Sequence, residues 1–355
     1  MPRVAGVDPG TVSFDLCVLQ DGHAVVEQVF ESDALAEDPA PLLDELRRHG
    51  PYELVYGPSG YGLPLVAAAD VDERALAQMV LVRPDERRAH TGIGGLRSLL
   101  RALAGSGLPV VFGPGVIHLP SVPRHRKFNR IDLGTADKVC AAACAIAEQR
   151  ERLSLRVDET SFVLLELGGA FTAAVAVAGG QIVDGAGGSS GPIGARAAGA
   201  LDGELAYLLA PRLGKHVLFS GGALDPAGSG PRDLEVAWRS PALADGRAAL
   251  LEGAAKSVRA LAASVPDPRE VVVSGRLARI SALTEALSEM LADVAPVTAI
   301  TGGEASAAAR GGALLADGLA GGRHEPLVSA LRLREASGTV LDHLRVRGSD
   351  AIELG

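Results

Sequence analysis

Val4-Ala5-Gly6-Val7-Asp8-Pro9-Gly10-Thr11 opens the first apolar run of the chain, and Phe162-Val163-Leu164-Leu165-Glu166-Leu167-Gly168-Gly169 restates it 158 residues later. Each run ends on a carboxylate with a glycine two positions beyond. After the first, Phe14, Leu16 and Val18 alternate with polar positions, and Asp21-Gly22 is a two-residue hairpin signal before Ala24-Val25-Val26. At the same offset the second run has Ala174 and Ala176, then Gly179-Gly180, then Ile182-Val183. Self-similarity at a fixed offset marks a duplicated unit. The unit is a β-meander with an acid and a glycine turn at the tip of its first strand. Glycine-rich hairpins also resemble one another through turn chemistry alone, but the ungapped match across acid, glycine and hairpin favours duplication.

Working outward, a helix is expected over about 39–49 and a short strand at Leu54-Val55-Tyr56. Two strand–turn–helix units come late: Glu270–Val273 into Ser274-Gly275-Arg276 and a helix near 280–291, then Val297–Ile300 into Thr301-Gly302-Gly303-Glu304 and an Ala-rich helix to about Leu319. Thr301 with Glu304 fits a capping box, and Gly302 with Gly303 lets a ligand or backbone approach closely. Leu327, Leu331, Leu341 and Leu344 predict an amphipathic helix over about 325–345 that packs back on the first half. The expected domains are 1–150 and 151–355.

Length supports two domains, and 47% hydrophobic against 22% charged residues supports a packed core. A net charge of −9 disfavours nucleic acid as a partner. Three cysteines, Cys17, Cys140 and Cys144, make no disulfide framework and fit a reducing, cytoplasmic setting. No signal peptide and no membrane span are expected. Only 4 of the 34 basic residues are lysines; with the abundant Ala and Gly this reads as genome bias.

A carboxylate-bearing glycine turn in each half has a chemical use. Backbone N–H groups at such turns hold phosphate oxygens where no Cβ intrudes, and a nearby acid holds Mg²⁺ directly or through water. Two turns facing each other would enclose a triphosphate, with the strand–Ser274-Gly275–helix turn walling the nucleoside. Neither a Walker A sequence nor a protein-kinase glycine loop is present.

Val7-Asp8-Pro9-Gly10-Thr11, Glu166-Leu167-Gly168-Gly169 and Val273-Ser274-Gly275 resemble, in order along the chain, the phosphate-1, phosphate-2 and adenosine motifs of the acetate and sugar kinase/Hsc70/actin (ASKHA) superfamily. The resemblance implies an α/β fold of duplicated ribonuclease-H-like (actin-like ATPase) domains around an interdomain nucleotide cleft, with ATP and Mg²⁺ as cofactors. The middle segment is similar to the butyrate and acetate kinases, whose H-L-G-x-G turn and M-G-T-R-like segment have counterparts in Glu166–Ala170 and Ile193-Gly194-Ala195-Arg196. The whole chain resembles an uncharacterised family labelled predicted butyrate kinases. It departs from the acetate kinases in carrying Glu166 where they have a phosphoryl-contacting histidine, and a carboxylate there orients metal or water instead.

The resemblance assigns Asp8 and Glu166 to metal and catalysis. Gly10, Thr11, Gly168, Gly169, Ser274, Gly275, Gly302 and Gly303 go to the nucleotide, and Arg196 to charge on the moving phosphoryl group. Asp132 is a second candidate catalytic acid or a helix cap. Tyr56, Ser59 and Tyr61, in a loop with two of the chain's few aromatics, form an acceptor wall or a plain turn; Lys138 can reach a substrate anion. The basic run His125–Arg130 attracts an anion or is an interdomain crossing, and the loop Asp184–Pro192 is a closing loop or a linker. The expected activity is phosphoryl transfer from ATP to a small molecule, a short-chain carboxylate first, in a possible homodimer. An ATPase driving a partner and a non-catalytic actin-like nucleotide binder are the alternatives.

Overall fold

The computed structural model describes residues 2–10, 13–31, 38–86, 93–225, 233–300 and 302–355; Thr11 and Thr301, with the capping box read at Thr301, lie outside them. The first sheet holds β1 (Arg3–Pro9), β2 (Ser13–Gln20), β3 (His23–Glu31), β4 (Leu54–Pro58), β5 (Val66–Ala67) and β6 (Val110–Gly113), in the order β3-β2-β1-β4-β6-β5. The second holds β7 (Ser161–Leu167), β8 (Thr172–Ala178), β9 (Gln181–Ala186), β10 (Glu270–Ser274) and β11 (Val297–Ala299), in the order β11-β10-β7-β8-β9. In both, an antiparallel meander is followed by two parallel strands; β5 is an extra edge on the first.

The duplication extends to irregularities. Asp8 pairs with Asp15 and Glu166 with Ala173, 158 residues on in each case. The register slips between Val18 and Leu19 in the first meander and between Ala176 and Val177 in the second, again 158 apart. Both hairpin turns take positive φ at their two central residues, 57° and 78° at Asp21-Gly22 and 59° and 70° at Gly179-Gly180, which is the twist a two-residue hairpin requires.

The helices that position the site and the core are α1 (Ala40–His49), α2 (Glu73–Val80), α3 (Ile93–Ala104), α4 (Ala136–Leu153), α5 (Ala244–Ala262), α6 (Ser281–Met290), α7 (Ala307–Leu319) and α8 (Glu325–Ala330). Leu46, Leu76 and Leu100 of α1–α3 cover one face of the first sheet, and Val258, Leu283 and Leu287 of α5 and α6 cover one face of the second. The inner faces meet through α4 and α7: Val4, Ile146, Phe162, Val175, Ala309 and Ala313 share one buried core. A Cβ on Gly6 would lie 2.1 Å from the Ala313 nitrogen, and one on Gly311 would lie 1.8 Å from the Cys140 carbonyl oxygen. Small residues in these two helices therefore set backbone-to-backbone packing, a role that reading the Ala and Gly content as genome bias does not give them.

α7, late in sequence, thus sits on the first sheet, and α8 packs on α7 and α4, with Leu327, Val328 and Leu331 in the shared core. The long helix expected to about 345 is instead six residues of α8, then a 3₁₀ turn at Leu333–Glu335 and tighter turns. Arg332 (φ 53°) and Gly338 (φ 79°) take the left-handed region and end the helical path, while Leu333 still reaches the core.

Candidate active site in the cleft between the lobes

The C-terminal ends of β1 and β7 both line a cavity of about 870 Å³. Gly10 and Gly168, just past the two strands, are packed alike: a Cβ on Gly10 would lie 2.7 Å from the Ser13 carbonyl oxygen and one on Gly168 2.9 Å from that of Phe171, so neither position has room for a side chain. Asp8, Gly10, Glu166, Gly168 and Gly169 line the cavity together with Ser274 and Gly275 at the end of β10 and with Gly302 and Gly303 before α7. Gly275 holds φ 90° with Leu167 backbone against it, so the third turn, like the first two, admits only glycine.

Each strand carboxylate is held by the other half of the chain. Ser306, the N-cap of α7, donates from Oγ to Asp8 Oδ2 at 2.7 Å, while its N–H donates to Asp15 Oδ2 at 2.6 Å. Lys138, in the first turn of α4, donates from Nζ to Glu166 Oε1 at 2.7 Å and to Asp137 Oδ2 at 2.6 Å. Burial, with the charge of Asp137 beside it, pushes the Asp8 carboxyl up to about 8. Burial also raises Glu166, opposed by Lys138. For Asp137 burial acts upward but Lys138 and Thr135 outweigh it, and its carboxyl is held below the usual range. The Lys138 ammonium is buried, yet the two carboxylates outweigh that and hold it firmly protonated. Glu166 Oε2 and Asp15 Oδ1 are buried without a hydrogen-bond partner, and such atoms in an all-oxygen acidic site suit a hard cation. Among the described residues no three His, Cys, Asp or Glu converge as a complete metal cage; Mg²⁺ ordinarily takes only one or two carboxylates and completes its shell with water and phosphate.

Other expected residues land differently. Tyr61 borders the cavity, but Tyr56 and Ser59 do not. β4 runs on to Pro58 and carries Tyr56 into the core between the sheets, where Gly113 leaves room for its ring. Ser59 is buried and spends its hydroxyl on the Gly113 carbonyl at 2.7 Å. Arg196 is not among the described residues lining the cavity; its backbone is stitched to Ala170 and Gly222. Asp132 does border the cavity, but its carboxylate is filled. It accepts from Gly134 N–H at 3.1 Å and from Ser189 N–H and Oγ at 2.9 and 2.8 Å, pinning the glycine–serine loop rather than leaving it free to close. The basic run is a crossing: Lys127 donates to the Leu119 carbonyl, Arg126 to that of Val183, and Arg345 stacks on Phe128 at 3.2 Å. Beyond Gly303, Glu27 accepts from the N–H groups of Glu304 and, at 3.0 Å, Ala305, so the two amides just before the N-cap of α7 are already taken by a carboxylate from β3.

The structure adds residues not read from sequence. Asp15 enters because it pairs with Asp8 across β1 and β2. Arg276 and Arg279 line the cavity directly after Ser274-Gly275. Met79, Val80 and Leu96 from the first half, and Phe171 and Phe219 from the second, add apolar surface to its walls. All three cysteines are free and buried. No helix among the described residues is long and apolar enough to cross a membrane.

Two α/β lobes built on a repeated sheet, packed through paired central helices and opening a glycine-lined cleft between them, define an actin-like ATPase fold. A propionate kinase from Francisella tularensis superposes with a TM-score of 0.61 at 12% identity, covering 88% of this chain and 99% of that one. An acetate kinase from Porphyromonas gingivalis gives 0.58 at 13%, covering 88% and 98%, and one from Entamoeba histolytica 0.55 at 11%, covering 82% and 86%. At these identities the likeness shows the fold. By sequence the chain belongs to DUF1464, a family described as proteins of unknown function, whose model matches residues 6–346. No curated protein matches the sequence significantly.

Proposed function

We propose that this protein is an ATP-dependent phosphotransferase acting on a small molecule, with a short-chain carboxylate as acceptor and an acyl phosphate and ADP as products, as in the butyrate kinase-like families it resembles. The observation that carries the reading is that Asp8 with Gly10 and Glu166 with Gly168 line one cavity whose walls also carry Met79, Leu96, Phe171 and Phe219. Gly10, Gly168 and Gly169 would receive phosphate oxygens, and Ser274 and Gly275 the nucleoside. Asp8 and Glu166, with unpartnered oxygen at Glu166 Oε2, would hold Mg²⁺, which supplies charge neutralisation on the phosphates when bound.

A second observation favours a carboxylate over an alcohol. In phosphoryl transfer to a carboxylate, one acceptor oxygen bonds to the γ-phosphorus and the bond to the ADP oxygen breaks, with no proton to remove. An alcohol needs a base, and Asp132, an acid bordering the cavity, already accepts hydrogen bonds from Gly134 and Ser189. Catalysis in this reading is positioning and electrostatics.

The test is ADP release with Mg-ATP and a panel of acetate, propionate, butyrate, glucose and glycerol, run beside Asp8→Ala. Turnover with the acids and not the polyols, lost in the variant, is expected. Turnover independent of any acceptor would establish an ATPase instead, and ATP binding without turnover a nucleotide-dependent binding protein.

A further inference from the structure

Asp8 and Asp15 stand directly opposite each other across β1 and β2, so their side chains share one face of the first sheet. Like charges in that register repel. Gly6, two residues before Asp8, lies on the same face, where a Cβ would come within 2.1 Å of the Ala313 nitrogen and 2.2 Å of the Ala309 carbonyl oxygen. The missing side chain lets the backbone of α7 press on β1, and that brings the start of the helix up to the two acids.

Ser306, the N-cap of α7, serves both of them. Its N–H donates to Asp15 Oδ2 at 2.6 Å and its hydroxyl to Asp8 Oδ2 at 2.7 Å. The same Oγ accepts from Ala309 N–H at 3.1 Å. The cap contact therefore fixes the side chain, buried Asp15 fixes the main chain that carries it, and the remaining hydrogen points at Asp8. No other described residue hydrogen-bonds the Asp8 carboxylate. An N-cap needs only to accept; this one also donates to an acid that lines the cavity, and Ser306 borders the cavity itself.

We infer that Ser306 is a positioning residue for Asp8: by taking Oδ2 it fixes the rotation of the carboxylate and leaves Oδ1 as the oxygen offered to a divalent cation. The inference rests on the reading in which Asp8 holds Mg²⁺ and adds a residue to it. Ser306 acts through Asp8 alone, as the outer partner of a metal-holding carboxylate, and such partners set how well the carboxylate binds.

The experiment compares wild type with Ser306→Thr, Ser306→Gly and Ser306→Ala, using Mn²⁺ with ADP as the probe. Bound Mn²⁺ is read from loss of the free-ion electron paramagnetic resonance signal, against Mn²⁺ with ADP alone. ADP binding without metal is measured by calorimetry. Glycine caps a helix nearly as well as serine and alanine does not, while neither carries a hydroxyl. Ser306→Gly and Ser306→Ala are therefore both expected to weaken Mn²⁺ binding about tenfold or more. Metal-free ADP binding should be unchanged, and Ser306→Thr should bind Mn²⁺ as wild type does. A merely structural cap predicts Ser306→Gly close to wild type and only Ser306→Ala impaired, and that order overturns the inference. Unchanged Mn²⁺ binding in all three variants also overturns it, as does a wild type that binds no Mn²⁺ beyond what ADP alone holds. The kinase reading is judged separately, by turnover of Mg-ATP with butyrate. Wild type that binds Mn²⁺ and ADP but turns nothing over ends that reading, and the Mn²⁺ titrations of the variants still decide Ser306. Ser306→Gly carries the test if Ser306→Ala does not fold.

Discussion

Replacing Lys138 by methionine strands two acids at once. The ammonium lies 2.6 Å from Asp137 and 2.7 Å from Glu166, and the three side chains are between 13% and 25% exposed. Removing one partner of so buried a set ordinarily costs about 3–5 kcal/mol, because the charge left behind has neither water nor a counter-ion. Two stranded carboxylates put Lys138→Met toward the top of that range. For a chain of this size, at roughly 2–4 °C per kcal/mol, the melting temperature should fall by about 10 °C or more. Glu166→Gln keeps an acceptor for Lys138 and should cost only about 1–2 kcal/mol. In the double variant one of the two acids is no longer charged, so the combined loss should be smaller than the sum, with a coupling of about 1–3 kcal/mol. The assay is urea and thermal unfolding of the four proteins without nucleotide or Mg²⁺. Additivity within about 0.5 kcal/mol would refute the reasoning, since it would mean Lys138 and Glu166 do not feel each other.

Asp8→Asn retains an acceptor for Ser306 and removes an acid that burial already pushes up to about 8; ATP turnover should drop by about 10²–10³-fold without loss of thermal stability at pH 7, measured on the same sample. His118 is buried with Nε2 unpartnered, and burial lowers its pKa from 6.5 to about 4. Because the folded protein binds its proton later than the unfolded chain, that stability is present above pH 6.5 and drains away as pH falls toward 4, by up to about 3 kcal/mol. His118→Gln should flatten the melting temperature over that window, and parallel curves would count against the assignment. Gly311→Ala must drive α7 off the Cys140 carbonyl and should cost at least about 1–3 kcal/mol. Gly203→Ala, with nothing within 4 Å, should stay within about 1 kcal/mol of wild type in the same denaturation series.

What was legible in the sequence was whatever repeats or punctuates locally. The match of Asp8 to Glu166 and of Asp21-Gly22 to Gly179-Gly180 can be read without coordinates because turns and strand alternation are properties of a few adjacent residues. The structure extends that match to a register slip, at Val18 and at Ala176, that no residue type announces. Tyr56 was misread because an aromatic beside glycines looks the same on either face of a strand; only knowing that β4 continues to Pro58 sends it into the core. Arg196 and Asp132 are a different case. Their types suit phosphate chemistry, but their surroundings are fixed by Ala170, Gly222 and Ser189, which are distant in sequence or silent in pattern. The hydrogen bond from Lys215 to Tyr61 was invisible because it spans 154 residues.

The crossed holding of the strand carboxylates has a consequence for the history of the molecule. Ser306 of the later copy steadies Asp8 of the earlier one, and Lys138 of the earlier copy steadies Glu166 of the later. The two copies answer the same need with different chemistry, one pairing aspartate with serine and the other glutamate with lysine. The two halves are now a matched pair rather than two of a kind, and neither can be exchanged for a second copy of the other.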